Sequence, residues 1–82
     1  MEKITMFTAA WCGDCWAAKR YLGEKGFPFT EIDIEQHPEA VRIIVAARGK
    51  RVLPTLEYKG KFIDGNHFNA EKFAKDLAEL LA

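Results

Sequence analysis

The chain is poor in cysteine, with 2 residues among 82, and both fall inside Trp11-Cys12-Gly13-Asp14-Cys15. That scarcity excludes a disulfide-stapled secreted scaffold and fits a reducing compartment, so a cytoplasmic protein is expected. The chain also has no excess of either charge, since 12 Lys and Arg balance 12 Asp and Glu. A general nucleic-acid or membrane-surface role needs a basic excess, so neither partner is expected. No apolar run approaches the roughly 18 residues of a transmembrane helix. Met1-Glu2-Lys3 runs straight into a strand-like segment, so no secretory signal is expected. Repeats, low-complexity stretches and linkers are missing too. With 49% apolar residues the chain can fold, and its length fits a single domain, 1–82, with a modest core.

What is present is concentrated at the cysteines. A disulfide across two intervening residues closes a very small loop, so it constrains the unfolded chain little and makes a poor staple. On one helical turn, however, residues three apart share a face. Their Cα atoms then come within the roughly 4.4–6.8 Å that a disulfide requires. Such a pair is suited to opening and closing.

Ile4-Thr5-Met6-Phe7-Thr8 reads as a central strand buried on both faces. Ala9-Ala10-Trp11 turns the chain, and a helix begins near Cys12. Cys15, Ala18 and Leu22 form its inner face, Lys19 and Arg20 face solvent, and Gly26 suits the position after its end. Phe29 to Ile34 alternates as a second strand. The intervening helix makes the two strands parallel neighbours by right-handed crossover. Gln36-His37-Pro38-Glu39 starts a second helix, with Pro38 at its first position and Val41, Ile44 and Val45 inward. Thr55–Tyr58 and Lys61–Asp64 flank Lys59-Gly60, a hairpin signal. Asn66 and Asn69 offer N-caps to a last helix with Phe73, Leu77 and Leu80 inward. The order is βαβαββα, an α/β fold.

Thiol–disulfide exchange needs a thiolate attacker and a second thiol nearby. Cys12, at the helix start, is the expected nucleophile, because free N–H groups and the dipole favour its anion. Cys15, one turn in, is the expected resolving thiol. Gly13 leaves the approach to the sulfur free of a side chain, and Trp11 offers an apolar wall. Asp14 suits a helix start, yet its charge opposes the adjacent thiolate and is expected to make the couple more reducing. A C-x-x-C is also half a zinc site, but the only nitrogen donors, His37 and His67, lack ligand-like spacing, so no metal is expected. His37 reads as a helix cap and His67 as a surface loop residue near substrate. Trp16 and Tyr21 read as packing or partly exposed helix residues rather than catalytic ones. Arg48, Lys50 and Arg51 form either a solvated helix end or a contact for an anionic substrate.

These residues resemble the glutaredoxin family of thioredoxin-fold proteins over essentially the whole chain. The likeness runs through Phe7-Thr8-Ala9-Ala10-Trp11-Cys12-Gly13-Asp14-Cys15, Asp33-Ile34-Glu35 and Arg51-Val52-Leu53-Pro54-Thr55, and is strongest to the mycoredoxin-like and glutaredoxin-like bacterial branch. The resemblance implies a thioredoxin-like four-stranded mixed sheet with helices on both faces. It implies that Pro54 is cis and lies against the cysteines, with the backbone of Leu53 pairing with substrate. It implies that the Gly65-Asn66-His67 turn binds a carboxylate of a thiol cosubstrate through free N–H groups. Thioredoxins proper carry a buried aspartate near the place of Met6, so the chain is not read as one. Glutathione-using members often carry a lysine shortly before the first cysteine and a Gly-Gly pair followed by Ser or Cys and Asp. Ala9-Ala10 and Asp64-Gly65-Asn66-His67 stand in those places.

The first reading is a monomeric disulfide reductase in cell redox homeostasis and electron transport. It acts on protein disulfides or on mixed disulfides with a small thiol, with no bound cofactor. Glutathione, mycothiol, bacillithiol or a reductase protein recharges it. The second is a dedicated electron donor of the ribonucleotide-reductase redoxin type, recharged by thioredoxin reductase. The third is a metal or iron–sulfur binding module.

Overall fold

Residues 3–82 are described by the computed structural model, so Met1 and Glu2 lie outside the described residues. Strand β1 (Ile4–Thr8) is central because its side chains are apolar on both faces. It pairs in parallel with β2 (Phe29–Asp33), Ile4 opposite Phe29 and Thr8 opposite Asp33. On its other side it pairs antiparallel with β3 (Thr55–Tyr58), Met6 opposite Leu56. Strand β4 (Lys61–Asp64) completes a four-stranded mixed sheet of order β2-β1-β3-β4.

Alternation along β1 divides the core. Ile4 and Met6 pack with Ala18 and Leu22 of α1 (Gly13–Glu24) and with Phe73, Leu77 and Leu80 of α3 (Ala70–Leu81). Phe7 faces the other way, toward Ala40 and Ile44 of α2 (Ala40–Arg48), and its cluster includes Cys12, Cys15, Val52 and Leu53. The helices therefore cover both faces in a thioredoxin-like fold, and the cysteines sit on one core's margin rather than in a separate appendage.

Local chemistry stops each element where it does. After α1, Gly26 takes φ +75°, the N–H of Phe27 reaches Leu22 O (2.9 Å) and that of Gly26 reaches Gly23 O (3.3 Å). This paired closure needs a left-handed residue, which glycine supplies without a Cβ penalty. Lys59 (φ 50°) and Gly60 (φ 81°) make the β3–β4 turn, whose two left-handed residues match the strand twist. Asn69 caps α3 by accepting the N–H of Lys72 at 3.0 Å.

Helix α2 departs from expectation. It begins at Ala40, not at Pro38, after a tight turn in which Ala40 N–H bonds to His37 O and Val41 N–H to Pro38 O. His37 caps nothing with its side chain, and its ring instead meets Glu39 at 3.3 Å. Val41 and Ile44 face inward as expected, with Ala40 beside them, whereas Val45 is 42% exposed.

The Leu53–Pro54 peptide is cis, as the resemblance implies. Gly65, just after β4, is buried and donates its N–H to Pro54 O at 2.9 Å. A Cβ there would meet Pro54 Cγ at 3.0 Å and Phe73 Cε1 at 3.3 Å. Gly65→Ala must push either the proline segment or α3, so it is expected to cost about 1–3 kcal/mol. Urea unfolding would measure this, and a variant as stable as its parent would show that both neighbours yield freely.

Candidate active site

The sulfur chemistry is set by how α1 starts. Ala9 O accepts the N–H of Cys12 at 3.1 Å and turns the chain out of β1. Cys12 then stays extended (φ −89°, ψ 110°) and serves as N-cap, its Sγ accepting the N–H of Cys15 at 3.1 Å. Serine or aspartate oxygen usually fills this place. Here a sulfur fills it, at the positive end of the helix. Both cysteines are free thiols.

Cys12 is 7% exposed and Cys15 is 1% exposed. Burial pushes the Cys15 thiol up from its ordinary 9.0 to about 12. A side-chain hydrogen bond with Cys12 adds to this, while the Thr8 hydroxyl and the Ala9 backbone pull the other way. Cys15 is thus a neutral thiol at neutral pH, behind the sulfur that faces outward. Sequence reasoning gave Thr8 no role. The only signal was a second hydroxyl residue, after Thr5, at the end of the strand, four residues before the Cys12 N–H closes the turn.

Cys12 opens on a groove of about 380 Å³, bounded by Trp11, Gly13, Arg51, Val52 and Leu53, with Asn66 at its edge. Trp11 is 59% exposed, and the Arg51 guanidinium lies 5.7 Å from its ring centre. This brings Trp11, Gly13, Arg51 and Leu53 together around Cys12. Arg48 is elsewhere, bonded to Asp64 (2.6 Å) and to Phe62 O. A second cavity, about 360 Å³, reaches Cys15 from behind, between Thr8, Trp16, Asp33 and His37.

One expectation needs correction, that the Gly65-Asn66-His67 turn carries free N–H groups. The two carboxylate oxygens of Asp14 accept the N–H groups of His67 (3.0 Å) and Phe68 (3.1 Å). The Gly65-Asn66-His67 turn consequently offers no free N–H groups. That of Gly65 goes to Pro54 O, that of Asn66 to Asp64 Oδ1 and that of His67 to Asp14. The carbonyl of Leu53 is also engaged, accepting the Asn66 side-chain amide at 3.3 Å. Short carboxylates within reach of an unpaired turn take its donors first, a tertiary event invisible in local sequence. Among the described residues no group of three His, Cys, Asp or Glu side chains is placed to hold a metal ion.

Residues 4–63 match the family model of glutaredoxin. The chain belongs to the glutaredoxin family. A Mycobacterium tuberculosis protein named as a glutaredoxin is 33% identical over 64 residues, 77% of this chain and 71% of that one. The N-acetyl-S-hydroxy-L-cysteine reductase of Bacillus subtilis is 35% identical over 54 residues, 66% of this chain and 58% of that protein. The glutaredoxin-like protein NrdH of Escherichia coli is 37% identical over 54 residues, 66% of this chain and 65% of NrdH. The solved NrdH-redoxin, described as having a thioredoxin-like activity profile, superposes with a TM-score of 0.74, covering 90% of this chain and 93% of that one. As a glutaredoxin-family member the chain is a thiol–disulfide oxidoreductase.

The two sulfurs should behave differently. Iodoacetamide at pH 7 is expected to modify Cys12 at least about tenfold faster than Cys15, since access and thiolate character both favour it. Peptide mapping reads this directly, and faster labelling of Cys15 would reverse the assignment. A pH effect follows as well. Both Cys12-derived causes that raise Cys15 are removed in Cys12→Ser, while burial, the largest cause, and the opposing Thr8 and Ala9 contacts remain. Thiolate absorbance should then show Cys15 titrating lower than in the parent protein, still held up by burial.

Proposed function

We propose that the protein reduces protein disulfides by two-step exchange. Cys12 thiolate attacks one substrate sulfur, the substrate S–S bond breaks, and the other substrate sulfur leaves as a thiolate. Cys15 gives up its proton and attacks Cys12 Sγ. The substrate's second thiolate departs, and a Cys12–Cys15 disulfide remains. The substrate has gained two electrons and the protein has lost two. A reductase protein or two small thiols return them.

One observation carries this reading: a cysteine N-cap faces a groove while its partner thiol waits, protonated, one turn behind. The site residues then take simple roles. Cys12 is nucleophile, Cys15 resolves, Trp11 and Arg51 wall the groove, and Gly13 keeps its floor low. The Leu53 N–H and the remaining lone pair of its carbonyl face an extended substrate. Free thiols suit a reducing cytoplasm, and the protein works as a monomer.

A second reading, a dedicated electron donor recharged by thioredoxin reductase, is favoured by the likeness to NrdH. Oxidised protein would be offered thioredoxin reductase with NADPH, then glutathione, mycothiol and bacillithiol separately. Rapid reduction by the reductase supports the donor reading. Rapid reduction by one small thiol supports the glutaredoxin reading. Failure of reduced protein to cleave a peptide disulfide, or undiminished cleavage by Cys12→Ser, would overturn both.

A further inference from the structure

We infer that Asp14 is a specificity-determining residue: its carboxylate fills the anion-receiving turn before α3, keeping carboxylate-bearing small thiols from docking there and leaving the groove to protein disulfides. This rests on the exchange reaction proposed above and names its substrate class.

The backbone N–H groups of Asn66, His67 and Phe68 all end on carboxylate oxygens. His67 takes φ 54°, left-handed for a non-glycine residue, and such a reversal aims successive N–H groups into one concavity. Concavities of this kind bind anions, more strongly where a helix follows. Here the occupants belong to the chain itself. Asp64 comes from two residues away, while Asp14 reaches across from α1, 53 residues earlier than His67.

Asp14 had a nearer use. It lies in the first turn of α1, where an acidic side chain can serve its own helix. Instead both of its oxygens leave α1 for the turn. The bridge also has structural reach. The turn it holds presents Asn66 to Leu53 O and Gly65 to Pro54 O, so Asp14 links the cysteine helix to the opposite wall of the groove.

An incoming thiol that docks by a carboxylate therefore meets occupied donors and a like charge on the rim of the Cys12 groove. A disulfide in a protein segment needs neither donor. It can use the Trp11 face and the Leu53 backbone. The selection is by exclusion, since the turn is chemically suited to the ligand it refuses.

Wild type, Asp14→Asn and Asp14→Ala would be compared. S-Methylglutathione, a non-reacting carboxylate probe, is titrated while the backbone amide resonances of His67 and Phe68 are followed. Wild type should show no saturable shift, and Asp14→Ala should show one. In parallel, oxidised protein is reduced by glutathione and by glutathione diethyl ester. The acid-to-ester rate ratio should rise about tenfold in Asp14→Ala. It should rise less in Asp14→Asn, whose amide oxygen still accepts an N–H group. Saturable amide shifts in wild type, or an unchanged ratio in Asp14→Ala, would overturn the inference. Equal gains in the two variants would too, because they would mean general charge removal. If alanine unfolds the protein, the asparagine variant must still raise the ratio. Cleavage of a peptide disulfide by wild type is measured alongside. Its absence defeats the oxidoreductase reading, whereas cleavage with an unchanged ratio defeats only the role of Asp14.

Discussion

The first backbone N–H groups of α1 need acceptors, and one of them is met by sulfur. A helix start leaves several such donors without intrahelical partners. Placing Cys12 Sγ against the N–H of Cys15 satisfies one of them and fixes the position of that sulfur in the same act. Because the cap lies outside the helix, Cys12 faces the groove. Because Cys15 lies inside it, on the face shared with Ala18 and Leu22, it faces the core. The division of labour between two chemically identical side chains is a consequence of helix geometry.

Three segments distant in sequence must meet at this cap. They are the start of α1, the stretch from Val52 to Pro54 and the turn after β4. A small core cannot position them by apolar packing alone. Polar bridges finish the placement: Asp14 to His67 and Phe68, Asn66 to Leu53, Gly65 to Pro54, and the buried Thr55 hydroxyl to Val52 O at 2.7 Å. Arg48 joins the end of α2 to Asp64 on β4. Among the described residues, no buried side-chain nitrogen or oxygen is left without a partner. Each bridge satisfies one element's orphan group with another element's spare one.

That distribution explains what the sequence could and could not reveal. The β1 run, the inward set Cys15, Ala18 and Leu22, the Lys59-Gly60 turn and the Phe73, Leu77 and Leu80 stripe were legible, because periodicity and turn chemistry are local. So was the lesser exposure of Cys15, one turn into the helix, relative to Cys12. Helix α2 was read two residues early, since a proline compatible with a first helical position is equally compatible with the tight turn before it. The hydrogen-bond partners of Asp14 were hidden for a deeper reason. Its immediate neighbours suggest interaction with its own helix and thiolate, whereas its partners come from a turn whose position only the completed sheet determines. Asn66 offered a cap by its residue type, but Asn69 is the cap, and Asn66 serves Leu53.

The same cap gives the reaction its order. While Cys12 is free, its hydrogen bond and its charge hold the proton on Cys15, in addition to the effect of burial. A resolving thiol that ionised at this stage would compete with Cys12 for the helix end without having a disulfide to attack. Once Cys12 enters a mixed disulfide it loses its charge, and the hold on the Cys15 proton weakens. The Thr8 hydroxyl and the Ala9 backbone, present throughout, then act on Cys15 with less opposition. In the proposed exchange, attack by the first sulfur therefore removes part of what holds the Cys15 proton, while burial, the largest cause, persists. A dyad of this kind needs only a cap position, one helical turn and a buried neighbour, all of which an 82-residue chain can supply.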